Sequence, residues 1–187
     1  GPDIYTLTQI GNNKFKGELN PTAFLTALFK DSLYVNVHTT ANPSGEARGQ
    51  IRLVNGFTST AIINGAQEVP APTVPTKANG VGLFNFTPDL DSIFVAVALD
   101  SLTGKIHNAH LHKGIYGAAG SVIYDLSAGI TADSTAILLK GAVTPALISS
   151  ILNDSVYFNV HTMANASGEI RGQLIPLARY TGAVCLT

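Results

Sequence analysis

The chain has 187 residues, of which 45% are hydrophobic and 12% charged, with a formal net charge of −1. This length is enough for one large or two small domains with a buried core. A charge so near neutrality argues against binding to nucleic acid or to an anionic membrane, and no apolar run is long enough to span a bilayer. With a single cysteine, Cys185, no internal disulfide is predicted.

The segment at residues 34–50 occurs a second time near the end of the chain. It reads YVNVHTTANPSGEARGQ, and residues 157–173 read YFNVHTMANASGEIRGQ, with 13 identities in 17 positions at an offset of 123. Similarity at a fixed offset is typical of a tandem repeat. The same offset aligns residues 57–63 with 180–186.

The repeat divides the chain into three pieces. We expect residues 1–56 to be the second half of one repeat, residues 57–177 a complete repeat, and residues 178–187 the first strand of a following repeat. Such a division is compatible with strands exchanged between neighbouring repeats or between the two chains of a dimer.

Most of the local pattern predicts β-strands. Runs rich in β-branched and aromatic residues lie at 82–86, 92–99 and 155–161, and Gly, Pro, Asn and Asp separate them. Short strands without alternating helices indicate an all-β fold, an antiparallel sandwich or barrel. One short helix per repeat is also predicted, because Asn20-Pro21 and Thr144-Pro145 each place an N-cap residue before a proline at the first helical position.

Three histidines form the candidate metal site. In residues 108–112, Ala109 and Leu111 are expected to face the core, which places His110 and His112 together on the other face. The same alternation in residues 157–161 places His161 on the solvent side of its strand. If the two strands are neighbours, three imidazoles surround one point, and such a site suits a transition metal better than calcium or magnesium.

The histidines also have plainer interpretations. A lone surface histidine is usually a solvated side chain, and His107 points to the opposite face and is expected at a strand end or behind a ligand. His38 matches His161, but no His-x-His pair precedes it, so we expect it to lack partner ligands. Glu169 with Arg171, and Glu46 with Arg48, are interpreted as structural ion pairs.

Three ordered motifs resemble the CHRD domain, a module first named in chordin and widespread in bacterial secreted proteins. They are residues 64–70, NGAQEVP, residues 109–114, AHLHKG, and the segment from Tyr157 to Leu174. The resemblance implies an immunoglobulin-like Greek-key β-sandwich that is secreted, periplasmic or on the cell surface. The motif order is also similar to copper-zinc superoxide dismutase, in which a His-x-His strand and a later strand histidine bind copper.

Carried over residue by residue, the second resemblance implies copper ligands at His110, His112 and His161. It does not extend to a bridging histidine, a zinc loop, a disulfide or an active-site arginine loop, so superoxide dismutation is not implied. We therefore expect a binding module for copper, with zinc as the alternative metal and no catalytic residues. A structural or adhesive repeat that binds protein ligands is the second hypothesis, and a copper redox enzyme is the third and weakest.

Overall fold

The computed structural model describes residues 3–12, 14–17, 27–28, 32–53, 56–177 and 182–183. The chain divides into two units, Gly1–Ile51 with Val184–Thr187, and Arg52–Ala183. The strands within the described residues are β1 (Thr8–Gly11), β2 (Lys14–Lys16), β3 (Tyr34–Val37), β4 (Ala47–Gln50), β5 (Arg52–Leu53), β6 (Thr58–Asn64), β7 (Asn79–Phe86), β8 (Ser92–Asp100), β9 (Ile106–Lys113), β10 (Ser121–Asp125), β11 (Ala136–Ala142), β12 (Val156–Thr162), β13 (Ile170–Gln173), β14 (Ile175–Pro176) and β15 (Gly182–Ala183).

The second unit is built on one antiparallel sheet in the order β10-β9-β12-β13-β6-β7-β8-β11, with β14 also paired to β6. Strict alternation forms its strands: in β8, Ile93, Val95 and Val97 are buried whereas Phe94 is 44% exposed. One apolar face and one open face are what a two-layer antiparallel fold requires.

The sheet curls until its two halves pack on each other. Phe84 of β7 and Phe158 of β12 are separated by two strands in the sheet order, yet their ring centroids are 5.9 Å apart. In a flat sheet, three strand spacings of about 4.8 Å would separate them. Both side chains are fully buried, so the core lies between the two halves. The prediction of an all-β antiparallel sandwich is confirmed.

The predicted helix of the complete repeat is present as α1 (Pro145–Leu152). The Thr144 side chain accepts a hydrogen bond from the Leu147 amide, and Pro145 opens the first turn, as the N-cap pattern predicts. Leu147, Ile148 and Ile151 are its buried residues. Among the described residues, no helix combines the length and apolar character that a membrane crossing needs.

Less of the first unit is described. Its described residues contain two separate two-stranded sheets, β1-β2 and β3-β4. The helix predicted from Asn20 lies mostly outside the described residues, which include only Ala27 and Leu28 in helical conformation. The strand predicted at 178–187 is described at β15 alone.

Candidate metal centre

The three predicted ligands lie on two neighbouring strands. His110 and His112 are on β9, His161 is on β12, and the two strands pair antiparallel. Ala109, Leu111, Phe158 and Val160 are all fully buried in the core, so the alternation predicted for both strands is confirmed. The three rings project from the opposite side of the sheet.

The rings converge on one point. Each histidine offers one nitrogen that lies within 4.8 Å of a nitrogen from each of the other two. The ring centroids are 5.1 Å apart for His110 and His161, 5.6 Å for His110 and His112, and 5.8 Å for His112 and His161. Since metal–imidazole bonds are about 2.0–2.1 Å long, small side-chain rotations bring all three nitrogens within reach of one ion.

Backbone carbonyls orient two of the rings. His112 Nδ1 is 2.9 Å from the Gly120 carbonyl, and His161 Nδ1 is 3.1 Å from the Ala166 carbonyl. A carbonyl can only accept, so Nδ1 carries the proton in both rings and Nε2 keeps its lone pair. This second contact, from the ring to a fixed acceptor, is the usual way in which a protein orients a histidine ligand.

The nitrogens that remain are buried and without partners. His112 Nε2, His161 Nε2 and His110 Nδ1 have no hydrogen-bond partner among the described residues. The other nitrogen of His110, Nε2, is 3.9 Å from a carboxylate oxygen of Asp125. A buried polar atom left unsatisfied costs about 1–3 kcal/mol, so three such atoms in three neighbouring rings require an explanation.

The prediction that this face is open to solvent is wrong. His112 is only 8% exposed, and Tyr157 and Asn159 beside it are 3% and 4% exposed. The glycine-rich loop, residues 114–120, crosses over the strands, and the Gly120 amide donates to the Tyr157 hydroxyl at 3.0 Å. Strand alternation separates the two faces of a sheet, but it carries no information about a loop that later covers one of them.

Burial keeps the rings in the ligand form. Desolvation lowers the pKa of His112 and of His161, and the backbone carbonyl at each Nδ1 offsets this in part. The neighbouring histidines lower both pKa values further, because one positive charge disfavours another. Both rings are therefore neutral at neutral pH, which is the state that binds a metal.

Arg171 fastens the glycine-rich loop. Its guanidinium donates to the carbonyls of Ile115 at 2.8 Å and Ala118 at 2.9 Å, and its Cζ lies 3.4 Å from the centre of the Tyr157 ring. The Tyr157 ring stacks in turn on His112, with centroids 4.9 Å apart and planes at 10°. One buried cation thus supports both the loop and a ring of the histidine cluster.

The predicted Glu169–Arg171 pair is wrong. Glu169 is fully buried and accepts hydrogen bonds from the Thr103 amide at 2.7 Å, the Thr76 hydroxyl at 2.7 Å and the Thr162 hydroxyl. It precedes β13, so strand alternation does not fix its direction relative to Arg171. These bonds lower its pKa against the opposing effect of desolvation.

The other two histidines lie outside the cluster. His107 is exposed, close to the point where the β9–β12 register shifts, and its charge contributes to the lowered pKa of His161. His38 is in the first unit, where Nδ1 is 3.0 Å from the Pro43 carbonyl and Nε2 is 3.2 Å from the Asn36 side-chain nitrogen.

Glu68 is the site residue that the sequence analysis missed. It is 6% exposed, and its Oε2 accepts a hydrogen bond from the side-chain amide nitrogen of Asn159 at 3.2 Å. Burial raises its pKa to about 7. Glu68 lies in the NGAQEVP segment, which has no strand or helix periodicity, so no local pattern assigns it a direction.

Comparison with known proteins identifies the family of this chain. No curated protein and no solved structure matches it. A family model does match, that of the CHRD domain, over residues 1–51 and 59–174. The match includes both copies of the repeated motif and all three histidines of the cluster. The chain belongs to the CHRD domain family.

Proposed function

We propose that this protein is a metal-binding CHRD module in which His110, His112 and His161 bind one copper ion. The observation that carries the proposal is a cluster of three histidines that offer nitrogens within 4.8 Å of one another, and each ring has one buried nitrogen without a hydrogen-bond partner among the described residues. Three neutral nitrogens and no carboxylate form a donor set for copper or zinc rather than for magnesium or calcium. Copper is preferred because divalent copper binds such sites more tightly than zinc.

The site supports binding rather than catalysis. The rings are largely covered, and two are held by backbone carbonyls in the tautomer that a metal needs. Storage or delivery of copper outside the cytoplasm is the role we propose. The location is proposed on the resemblance to secreted CHRD proteins.

Titration calorimetry with Cu²⁺ and Zn²⁺ tests the proposal. We expect about one ion per chain, with Cu²⁺ displacing Zn²⁺, and an affinity at least about 100-fold lower in the His110→Ala/His112→Ala variant, because loss of two of three ligands leaves no chelate. His107→Ala is the matched control, since it changes an exposed histidine of the same strand. Unchanged stoichiometry and affinity in the double variant would refute the site.

A second function is favoured by a different surface. The outward face of β6, β7, β8 and β11 is apolar, with Ile62, Val81, Leu83 and Leu138 between 48% and 69% exposed. The β6–β7 and β7–β8 registers place Leu83 beside Thr60 and Ala96, and Ala96 beside Leu138. A contiguous exposed apolar face suits a repeat that associates with protein surfaces. Sedimentation of the natural chain and of the Leu83→Glu/Leu138→Glu variant tests this role. The role requires that the natural chain self-associates through this face and that the variant does not.

A further inference from the structure

The first unit contains one half of a second histidine site. His38 Nδ1 contacts the Pro43 carbonyl at 3.0 Å, as His161 Nδ1 contacts the Ala166 carbonyl at 3.1 Å. Arg48 lies over the Tyr34 ring as Arg171 lies over Tyr157. The repeated segment therefore folds in the same way in both copies, including the contact that orients the histidine.

The turn that follows the histidine is also the same. Gly45 and Gly168 occupy matching positions, with φ angles of +124° and +135°. These angles strongly favour glycine. In both copies a threonine and a glutamate bond across the turn, Thr39 to Glu46 and Thr162 to Glu169. The predicted Glu46–Arg48 pair is accordingly replaced by Thr39 and Asn42 as partners of Glu46.

The two copies differ in what lies beside the histidine strand. In the second unit β12 lies between β9 and β13, and Phe158, Asn159 and Val160 are buried. In the first unit, the described residues give β3 one strand neighbour, β4. Their counterparts there, Val35 and Val37, are half-buried, and Asn36 is exposed.

A strand from the end of the chain already pairs as the first strand of a repeat. β15 pairs with β5 through Gly182 with Leu53 and Ala183 with Arg52. In the complete repeat, β6 pairs with β14 through Ser59 with Pro176 and Thr60 with Ile175. Each residue of the β15–β5 pairs lies 123 residues from its counterpart in the β6–β14 pairs, and 123 is the offset of the repeat. β15 therefore pairs with β5 as β6 pairs with β14.

From these observations we propose that His38 is one ligand of a second metal site, which is completed by a first-half repeat segment bearing a His-x-His strand. That strand pairs beside β3 as β9 pairs beside β12. The inference rests on the proposed function, since it assigns His38 the role of His161.

Asn36 lies beside the histidine nitrogen that the proposed second site needs. Its side-chain nitrogen lies 3.2 Å from His38 Nε2, the atom that would bind the metal. The matching side-chain amide of Asn159 is instead bonded to Glu68, and His161 Nε2 has no hydrogen-bond partner in the described part of the chain. A segment that contains the NGAQEVP motif of residues 64–70 supplies a counterpart of Glu68. Docking thus draws Asn36 away from His38 and exposes the ligand nitrogen as it supplies the two missing rings.

The test is an extended chain in which a copy of residues 65–126 follows Thr187. We expect about two Cu²⁺ ions per extended chain by calorimetry and metal analysis, against about one for the natural chain. Two matched controls should return the count to about one: His38→Ala in the extended chain, and alanine in place of both histidines of the added His-x-His pair.

The outcomes separate the two proposals. If the natural chain binds one ion and the extended chain also binds one, the second site does not exist. If neither binds any, the proposed function itself fails.

A second measurement applies if the extended chain does not fold. A peptide of residues 65–126 and Zn²⁺ are added to the natural-length chain carrying His110→Ala, His112→Ala and His161→Ala. Nuclear magnetic resonance should then show shifts at Val35, Val37 and His38 that require peptide and Zn²⁺ together. The absence of shifts at millimolar peptide overturns the inference.

Discussion

At the scale of single residues, the two copies differ in the hydrogen-bond partner of one asparagine. That partner decides whether the asparagine side chain contacts Nε2 of the neighbouring histidine. Asn159 and Asn36 hold matching positions two residues before the histidine of each copy. The Asn159 amide donates to Glu68 at 3.2 Å, whereas the Asn36 nitrogen lies 3.2 Å from His38 Nε2. In the proposed site Glu68 is therefore a positioning residue, because its hydrogen bond holds the Asn159 side-chain amide away from His161 Nε2.

The Glu68→Ala variant tests this role. Without the carboxylate, we expect Asn159 to turn to His161 Nε2, and a bound metal must then displace a hydrogen bond worth about 1 kcal/mol, which lowers affinity about fivefold. Glu68→Gln keeps an acceptor for Asn159 and should stay within about twofold of the natural affinity. Adding Asn159→Ala to Glu68→Ala should restore binding in calorimetry. An affinity unchanged in Glu68→Ala would show that the amide does not compete.

At the scale of elements, the glycine-rich loop depends on β13 for its position. Arg171 donates to two of its carbonyls and lies over Tyr157, which stacks on His112. Both loop carbonyls point to the guanidinium, whose planar fork can bond two acceptors while its face covers a ring. A lysine has the same charge, but its ammonium group has no planar face to cover the Tyr157 ring while it bonds the two carbonyls.

We expect Arg171→Lys to lower the free energy of unfolding by about 2–4 kcal/mol, because two charge-assisted hydrogen bonds are lost or weakened in a buried position. Hydrogen exchange should quicken at the amides of residues 114–120. Arg48→Lys is the matched control: its side chain is exposed over Tyr34, and the expected change is below about 0.5 kcal/mol. Equal losses of unfolding free energy in the two variants would show that Arg171 does not hold the glycine-rich loop in place.

The same elements show how far the sequence could predict the site. Alternation within β9 and β12 was sufficient to place His110, His112 and His161 on one face, since each strand fixes its own two faces. The Thr144-Pro145 pair likewise located the start of α1. Residues 114–120 and Glu68 cover that face. Their position could not be predicted, because strand alternation does not relate them to the histidines. The Thr76 and Thr103 contacts of Glu169 were equally hidden, because they join segments more than 60 residues away in sequence.

At the scale of the whole molecule, the three-histidine cluster and its support belong to one unit, Arg52–Ala183. The same unit contains buried groups whose titrations have opposite effects on its stability. His112 and His161 have pKa values lowered by burial, so their contribution is complete above the ordinary histidine pKa of about 6.5. It is lost as the pH falls through their folded-state values, because the unfolded chain takes up protons first.

Glu68 has the opposite sign. Burial raises its pKa from 4.5 to about 7, so its contribution is complete below pH 4.5 and is lost as the pH rises through 7. In the metal-free protein we expect Glu68→Gln to match the natural chain near pH 4.5. The variant should exceed it in stability by on the order of 1–3 kcal/mol above pH 7, where the natural carboxylate is charged while buried.

Global hydrogen exchange at core amides of the second unit, such as those of Val95 and Phe158, measures this difference at each pH. The histidine contributions cancel in the comparison, since both proteins contain the same rings. A difference that grows through the interval from pH 4.5 to 7 assigns the titration to Glu68. A difference that stays constant across that interval would show that the Glu68 carboxyl is as easily ionised in the folded protein as in the unfolded chain, and that the covered face is wetter than its burial indicates.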